Sequence, residues 1–178
     1  ELKKFLGEVN VEDEPSNFTT FYNSNLNKKE TADKKIKYNS KILHQSKLIN
    51  YFNGDYAKSK IEEDLDKFLK KIKKDKKYFL SKKDIIFLEA LKSDGIKISK
   101  KYDDLYEINK SEMPSDIQSM IDGNEIGSAL LRVIEVIGPD EIENIDDDTV
   151  YFIINTLNQL NTDLIRNKLL LKVLPLKV

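Results

Sequence analysis

The sequence has no cysteine and a single histidine, His44. Disulfides, thiol catalysis and zinc sites built from Cys and His are therefore excluded from its 178 residues. Glycine is scarce as well. The six glycines are scattered, and none falls in a G-x-G-x-x-G or G-x-x-x-x-G-K-[ST] arrangement, so no phosphate-cradling loop of those kinds is present. No run approaches the roughly 20 apolar residues that a membrane-spanning helix needs. What remains is 39% apolar and 34% charged with a formal net charge of -1. That composition argues for a soluble chain with a core, either one ordinary domain or two small ones, and against wholesale disorder.

Arginine is nearly missing too, with only Arg132 and Arg166 against 28 lysines. With 20 Ile and 15 Asn, this bias fits codon drift in an AT-rich genome. The near-neutral total hides an asymmetry. Residues 1–27 carry 2 basic and 5 acidic side chains, residues 28–110 carry 23 and 14, and residues 111–178 carry 5 and 12. The segments thus stand at -3, +9 and -7. A split of this size steers partners or draws the two halves together, and self-complementarity needs no unseen partner.

The chain opens at Glu1 without a signal-peptide pattern, and reads as an excised piece of a longer protein. Residues 1–30 open with a short amphipathic run (Leu2, Phe5, Leu6), are polar over 7–30 with breaks at Gly7 and Pro15, and read as an extended or partly ordered arm with Phe18, Phe21 and Tyr22 to dock. Residues 31–178 read as a single helical domain. It comprises a basic half (31–95), a connector (96–112) and an acidic half (113–178). In the basic half, Ile36, Ile42, Leu43, Leu48, Ile49 and Phe52 recur at mixed spacings and stop at Asn53-Gly54. Asp55 is placed to cap the next helix. There Ile61, Leu65, Phe68, Leu69 and Ile72 form one stripe, with Glu63→Lys67 and Asp66→Lys70 as i,i+4 pairs. Ser81 and Asp84 read as a capping box opening a helix to about Ser93, with Ile85, Ile86, Leu88 and Leu91 inward.

In the acidic half, Pro114 suits a first helical position and Asp122-Gly123-Asn124 closes a short helix. Residues 126–137 are apolar on most sides, which predicts a central helix before Gly138-Pro139. The acids at 146–148 begin another helix, striped by Val150, Ile153, Ile154, Leu157 and Leu160. Asn161-Thr162 caps a last one carrying Leu164, Ile165, Leu169, Leu170, Val173 and Leu174. Ile134 and Ile154 are both expected in the core. The fold class is all-α, an irregular, helical-repeat-like stack of antiparallel helical hairpins with an extended N-terminal arm.

The phrases Leu130–Gly138 (LLRVIEVIG), Tyr151–Asn158 (YFIINTLN) and Ile165–Lys168 (IRNK) carry a resemblance. With them the chain resembles the C-terminal helical region of uncharacterised alphaproteobacterial proteins of low-GC marine type, over about residues 42–178. The resemblance implies a bacterial helical domain at the end of a longer chain, and no activity.

Four features are candidates for function. Lys70, Lys71, Lys73, Lys74, Lys76 and Lys77, followed by Lys82 and Lys83, could neutralise phosphates of a nucleic acid or an anionic membrane surface. The plainer account is a solvated lysine face, since arginine is absent there. Tyr102 and Tyr106 in the connector could line a partner groove, against ordinary packing onto the helices. Asp140, Glu141, Glu143 and Asp146–Asp148 fail the EF-hand pattern, because its sixth position is Ile145 rather than Gly and its twelfth is Tyr151. Capping explains them better. His44, although Ser40 stands at i-4 and Asp33 lies upstream, forms no secure catalytic constellation. The expectation is a non-catalytic protein-interaction or scaffold domain without metal or cofactor, its partner another protein or part of its own chain. The alternative is a polyanion binder through the lysine-rich helix.

Overall fold

The computed structural model describes residues 36–75, 79–105, 113–138 and 144–177. The chain divides into two compact units, 1–36 with 177–178, and 37–176. The first lies almost wholly outside the described residues, and with it the expected arm. The second is all-α. Its elements are α1 (Lys58–Lys73), α2 (Lys82–Ser93), α3 (Ser115–Asp122), α4 (Ile126–Ile137), α5 (Asp147–Gln159) and α6 (Asp163–Val173). Three 3₁₀ helices accompany them: η1 (Leu43–Gln45), η2 (Lys47–Asn53) and η3 (Lys100–Leu105). Two-residue strands β1 (Ile36–Lys37) and β2 (Leu176–Lys177) pair with each other.

The apolar recurrence that ends at Asn53-Gly54 forms two 3₁₀ helices, η1 and η2, over residues 43–53, and no α-helix. Its mixed apolar spacings fit the tighter turn, in which Leu43, Leu48, Ile49 and Phe52 all reach the interior. Gly54 ends it in the left-handed region, at φ 85°. Asp55 does not cap α1. The helix starts three residues later behind Ala57, without a side-chain cap. Its stripe is present, with Ile61, Leu65, Leu69 and Ile72 buried and Phe68 packed at the margin.

The capping box of α2 is formed as the sequence predicts. Ser81 Oγ accepts from the Asp84 N–H and Asp84 Oδ2 accepts from the Ser81 N–H. Behind it, Ile86, Phe87, Leu88, Ala90 and Leu91 are all fully buried, so α2, and not α4, is the central helix. Its main partner is α5, through Val150, Ile153, Ile154 and Leu157. Asp146 caps α5 by accepting from the N–H groups of Asp148 and Thr149, and the bonds from the Thr149 N–H and hydroxyl hold its carboxyl below the ordinary range.

The N-terminal ends of α2 and α5 lie side by side. Lys83 Nζ is 3.4 Å from Asp147, and Lys82 is paired with Asp148. Lysines in a first helical turn have the wrong sign for the helix dipole, and the neighbouring acids offset them. Basic and acidic halves therefore meet inside one molecule and share one core. In α3, Pro114 is the N-cap rather than the first helical residue. The left-handed residue after that helix is Asn124, at φ 57°, and not Gly123.

The expectation of a central α4 is wrong. Only Ala129 and Val133 are buried, while Leu131 is 65% and Ile134 62% exposed. In α6 the expected stripe is also rotated. Leu164 and Ile165 are exposed, and Arg166 is wholly buried.

Candidate functional site

His44 is buried in η1 and hydrogen-bonded. Its Nδ1 donates to Asp84 Oδ1 at 2.7 Å, and its backbone N–H donates to the same oxygen at 3.0 Å. Burial raises the Asp84 pKa, but the bonds from His44 and from the Ser81 N–H outweigh it and hold the carboxyl below its ordinary value. The serine near the ring is Ser81, not Ser40. Its Oγ lies 3.5 Å from Nδ1, the nitrogen that Asp84 already occupies. A nucleophile–base–carboxylate relay needs serine and carboxylate on opposite ring nitrogens, and here Nε2 faces the Gln45 side chain at 3.3 Å. Asp33, the other proposed member, lies outside the described residues. The His44–Asp84–Ser81 group is a clamp that ties η1 to the start of α2.

The second buried polar group is one that sequence reasoning missed. Arg166 crosses from α6 to the end of α2, where Nη2 donates to Asp94 Oδ1 at 2.6 Å. Nη1 donates to Asn158 at 3.2 Å and pairs with Asp163 at 3.0 Å, while Nε and Nη2 both reach Asn167 Oδ1. Tyr51 joins this group. Burial, then the charge and hydrogen bond of Asp94, push its hydroxyl up to about 12, with Arg166 opposing. The available signal was scarcity: one of only two arginines sits mid-helix on an otherwise apolar register.

The proposed binding residues are dispersed in role. Tyr102 is 1% exposed, and its hydroxyl donates to Asp66 Oδ1 at 2.9 Å. It therefore cannot line a partner groove as expected, because its ring is already packed and its polar tip satisfied. Burial, then Asp66, raises its pKa, with Lys101 opposing. Asp66 pairs with Lys101 at 2.8 Å rather than with Lys70, which corrects the predicted pair, whereas Glu63–Lys67 is formed. Lys73 is held by Asp104 and by the Lys101 carbonyl. Lys70, Lys71 and Lys74 are exposed and take part in no ion pair among the described residues. Lys76, Lys77 and Tyr106 lie outside the described residues, as do Asp140, Glu141 and Glu143.

Two apolar features remain. A shallow, solvent-open dent with room for only about 10 Å³ lies between α4, α5 and α6, lined by seven aliphatic side chains including Ile137, Ile154 and Val173. It is smaller than a usual ligand pocket and has no polar group to orient a substrate. The other is the outer face of α4, where Leu131 and Ile134 stand exposed beside Ile126 (41%) and Val136 (37%). Among the described residues no cluster of His, Cys, Asp or Glu is arranged to hold a metal ion, and no helix is long and apolar enough to cross a membrane. The chain matches no protein-family model, and comparison with curated proteins and with solved structures also finds no match.

Proposed function

We propose that residues 37–176 form a non-catalytic helical interaction domain of a longer bacterial protein, with the outer face of α4 as its docking surface. One observation carries this reading. A helix whose sequence has the apolar density of a buried one is covered on its inner side alone, leaving Leu131 and Ile134 more than half exposed. Burying two such side chains would contribute on the order of 3 kcal/mol to an association. The buried polar groups support the same reading, since His44, Asp84 and Arg166 are consumed in holding elements together. A photo-crosslinking residue placed at Leu131, and separately at exposed Lys60 as a control, tests it. Specific, saturable adducts at position 131 alone are expected; equal labelling at both positions, or none, would remove the reading.

A second reading rests on Lys70, Lys71 and Lys74 at the end of α1, which together could contact a polyanion. It predicts heparin binding that falls steeply as salt rises and is lost when all three become Gln.

A further inference from the structure

The composition of the two exposed apolar surfaces identifies what covers α4, granted that its outer face is a docking surface. Gly127, Leu131 and Ile134 fall at i, i+4 and i+7 on one stripe, and the space around the Gly127 position is open. The helix pair that carries the stripe is acidic. Helices α3 and α4 with their junction carry Asp116, Asp122, Glu125 and Glu135 against Arg132 alone. Arg132 is already shared between Asp116 and Glu135. Two such faces brought together about a two-fold axis would set like charges against each other, so the surface selects a basic occupant.

This chain has exposed basic and aromatic side chains within one short stretch of sequence. Lys70, Lys71 and Lys74 are exposed at the end of α1. Five residues further on stands Phe79, 76% exposed and the most exposed large apolar side chain among the described residues. The connecting chain limits the separation of Lys74 and Phe79 to about 17 Å. An aromatic anchor near three exposed lysines is the complement of an aliphatic stripe on a helix pair with a net excess of acids.

We propose that the α4 face receives the Phe79–lysine surface of a second copy, joining copies head to tail. Each copy carries one surface of each kind, so the contact is heterologous, and growth continues until a ring closes. The apolar centre is small, so association is weak and rises with concentration.

Sedimentation equilibrium over micromolar to millimolar concentrations tests this. It uses the wild type, a basic-surface variant (Lys70→Glu, Lys71→Glu, Lys74→Glu, Phe79→Ser) and an α4 variant (Leu131→Ser, Ile134→Ser). All the substituted side chains are exposed, and thermal melts verify that both variants fold. The wild type is expected to form dimers and longer species, and each variant alone to remain monomeric. An equimolar mixture of the variants should recover dimers and nothing larger, because one intact surface of each kind remains. A wild type that stays monomeric throughout overturns the proposal, as does a dimer that survives in the basic-surface variant, or a mixture without dimers. A monomeric wild type that still gives specific adducts to another protein from position 131 would sink self-association and leave the docking surface standing.

Discussion

Replacing Arg166 by Met keeps most of the side-chain volume and removes the charge, which isolates the polar role of the most deeply buried cation described. All three guanidinium nitrogens are engaged: Nη2 with Asp94 at 2.6 Å, Nη1 with Asn158 and Asp163, and Nε with Asn167. Without it, Asp94 remains 11% exposed beside Tyr51, and the Lys58 ammonium at the end of α2 is bonded to the Asp94 backbone carbonyl rather than to its carboxylate. Breaking a buried pair from one side costs about 3–5 kcal/mol, because the remaining charge stays desolvated. Asp94→Asn should cost less, about 1–2 kcal/mol, since Arg166 retains Asp163 and two asparagine carbonyls. The pair should show a coupling energy of about 1–3 kcal/mol in a double-mutant cycle. Urea unfolding of the wild type, both single variants and the double variant measures all of these. For a chain of this length Arg166→Met should lower Tm by on the order of 10 °C. A loss below about 1 kcal/mol with no coupling would show that Asp94 and Arg166 do not meet in solution, and that α6 packs on another face.

Ile154→Ala should destabilise by about 2–5 kcal/mol and Ile134→Ala by less than about 0.5, since one is 2% and the other 62% exposed. Equal melting shifts would restore a buried α4. Asp84→Asn should cost about 1.5–3 kcal/mol at neutral pH, because its carboxylate accepts from His44 and Ser81. The folded pKa of Asp84 lies below its unfolded value, so its contribution is complete above about pH 4 and is lost as pH falls through the folded value. The gap between wild type and variant, followed by denaturation at a series of pH values, should close only under acid conditions; a gap that widens there would reverse the assignment. Tyr102→Phe should cost about 1 kcal/mol through the lost bond to Asp66, and an unchanged urea midpoint would mean that the hydroxyl faces water.

The legible parts of this chain were those set by local chemistry. The capping box at Ser81 and Asp84, the Asp146 cap and the α1 stripe each depend on residues within a few positions, and each is formed. The all-α class follows from the same signals. Neighbours were harder to read. Leu130 to Ile137 carry the apolar density of a central helix, but density says nothing about how many elements arrive to cover it, and α4 is covered on one side. Leu164, Ile165 and Arg166 show the same limit in reverse. A polar side chain takes the inward position because Asp94, about seventy positions earlier in the chain, is there to meet it. The candidate site was legible in its lysines, three of which are exposed and form no ion pair among the described residues. Phe79 and the α4 face depended on which surfaces the fold leaves bare.

The side-by-side start of α2 and α5 bears on how the molecule forms. Helices α5 and α6 are joined by three residues, whereas α2 and α5 are separated by about fifty. Bringing the ends of the longer segment together costs roughly 2–3 kcal/mol more in chain entropy than closing the short turn. Local pairs such as α5 with α6 can therefore gather early, and the contact that buries Phe87 and Leu157 waits on the slow search. Until it is made, neither half can complete a core, and the aliphatic faces of both stand open to solvent. The interval before α2 finds α5 is the period in which this chain is most exposed to aggregation, and the opposite charges at their starting turns shorten it by drawing the two ends together.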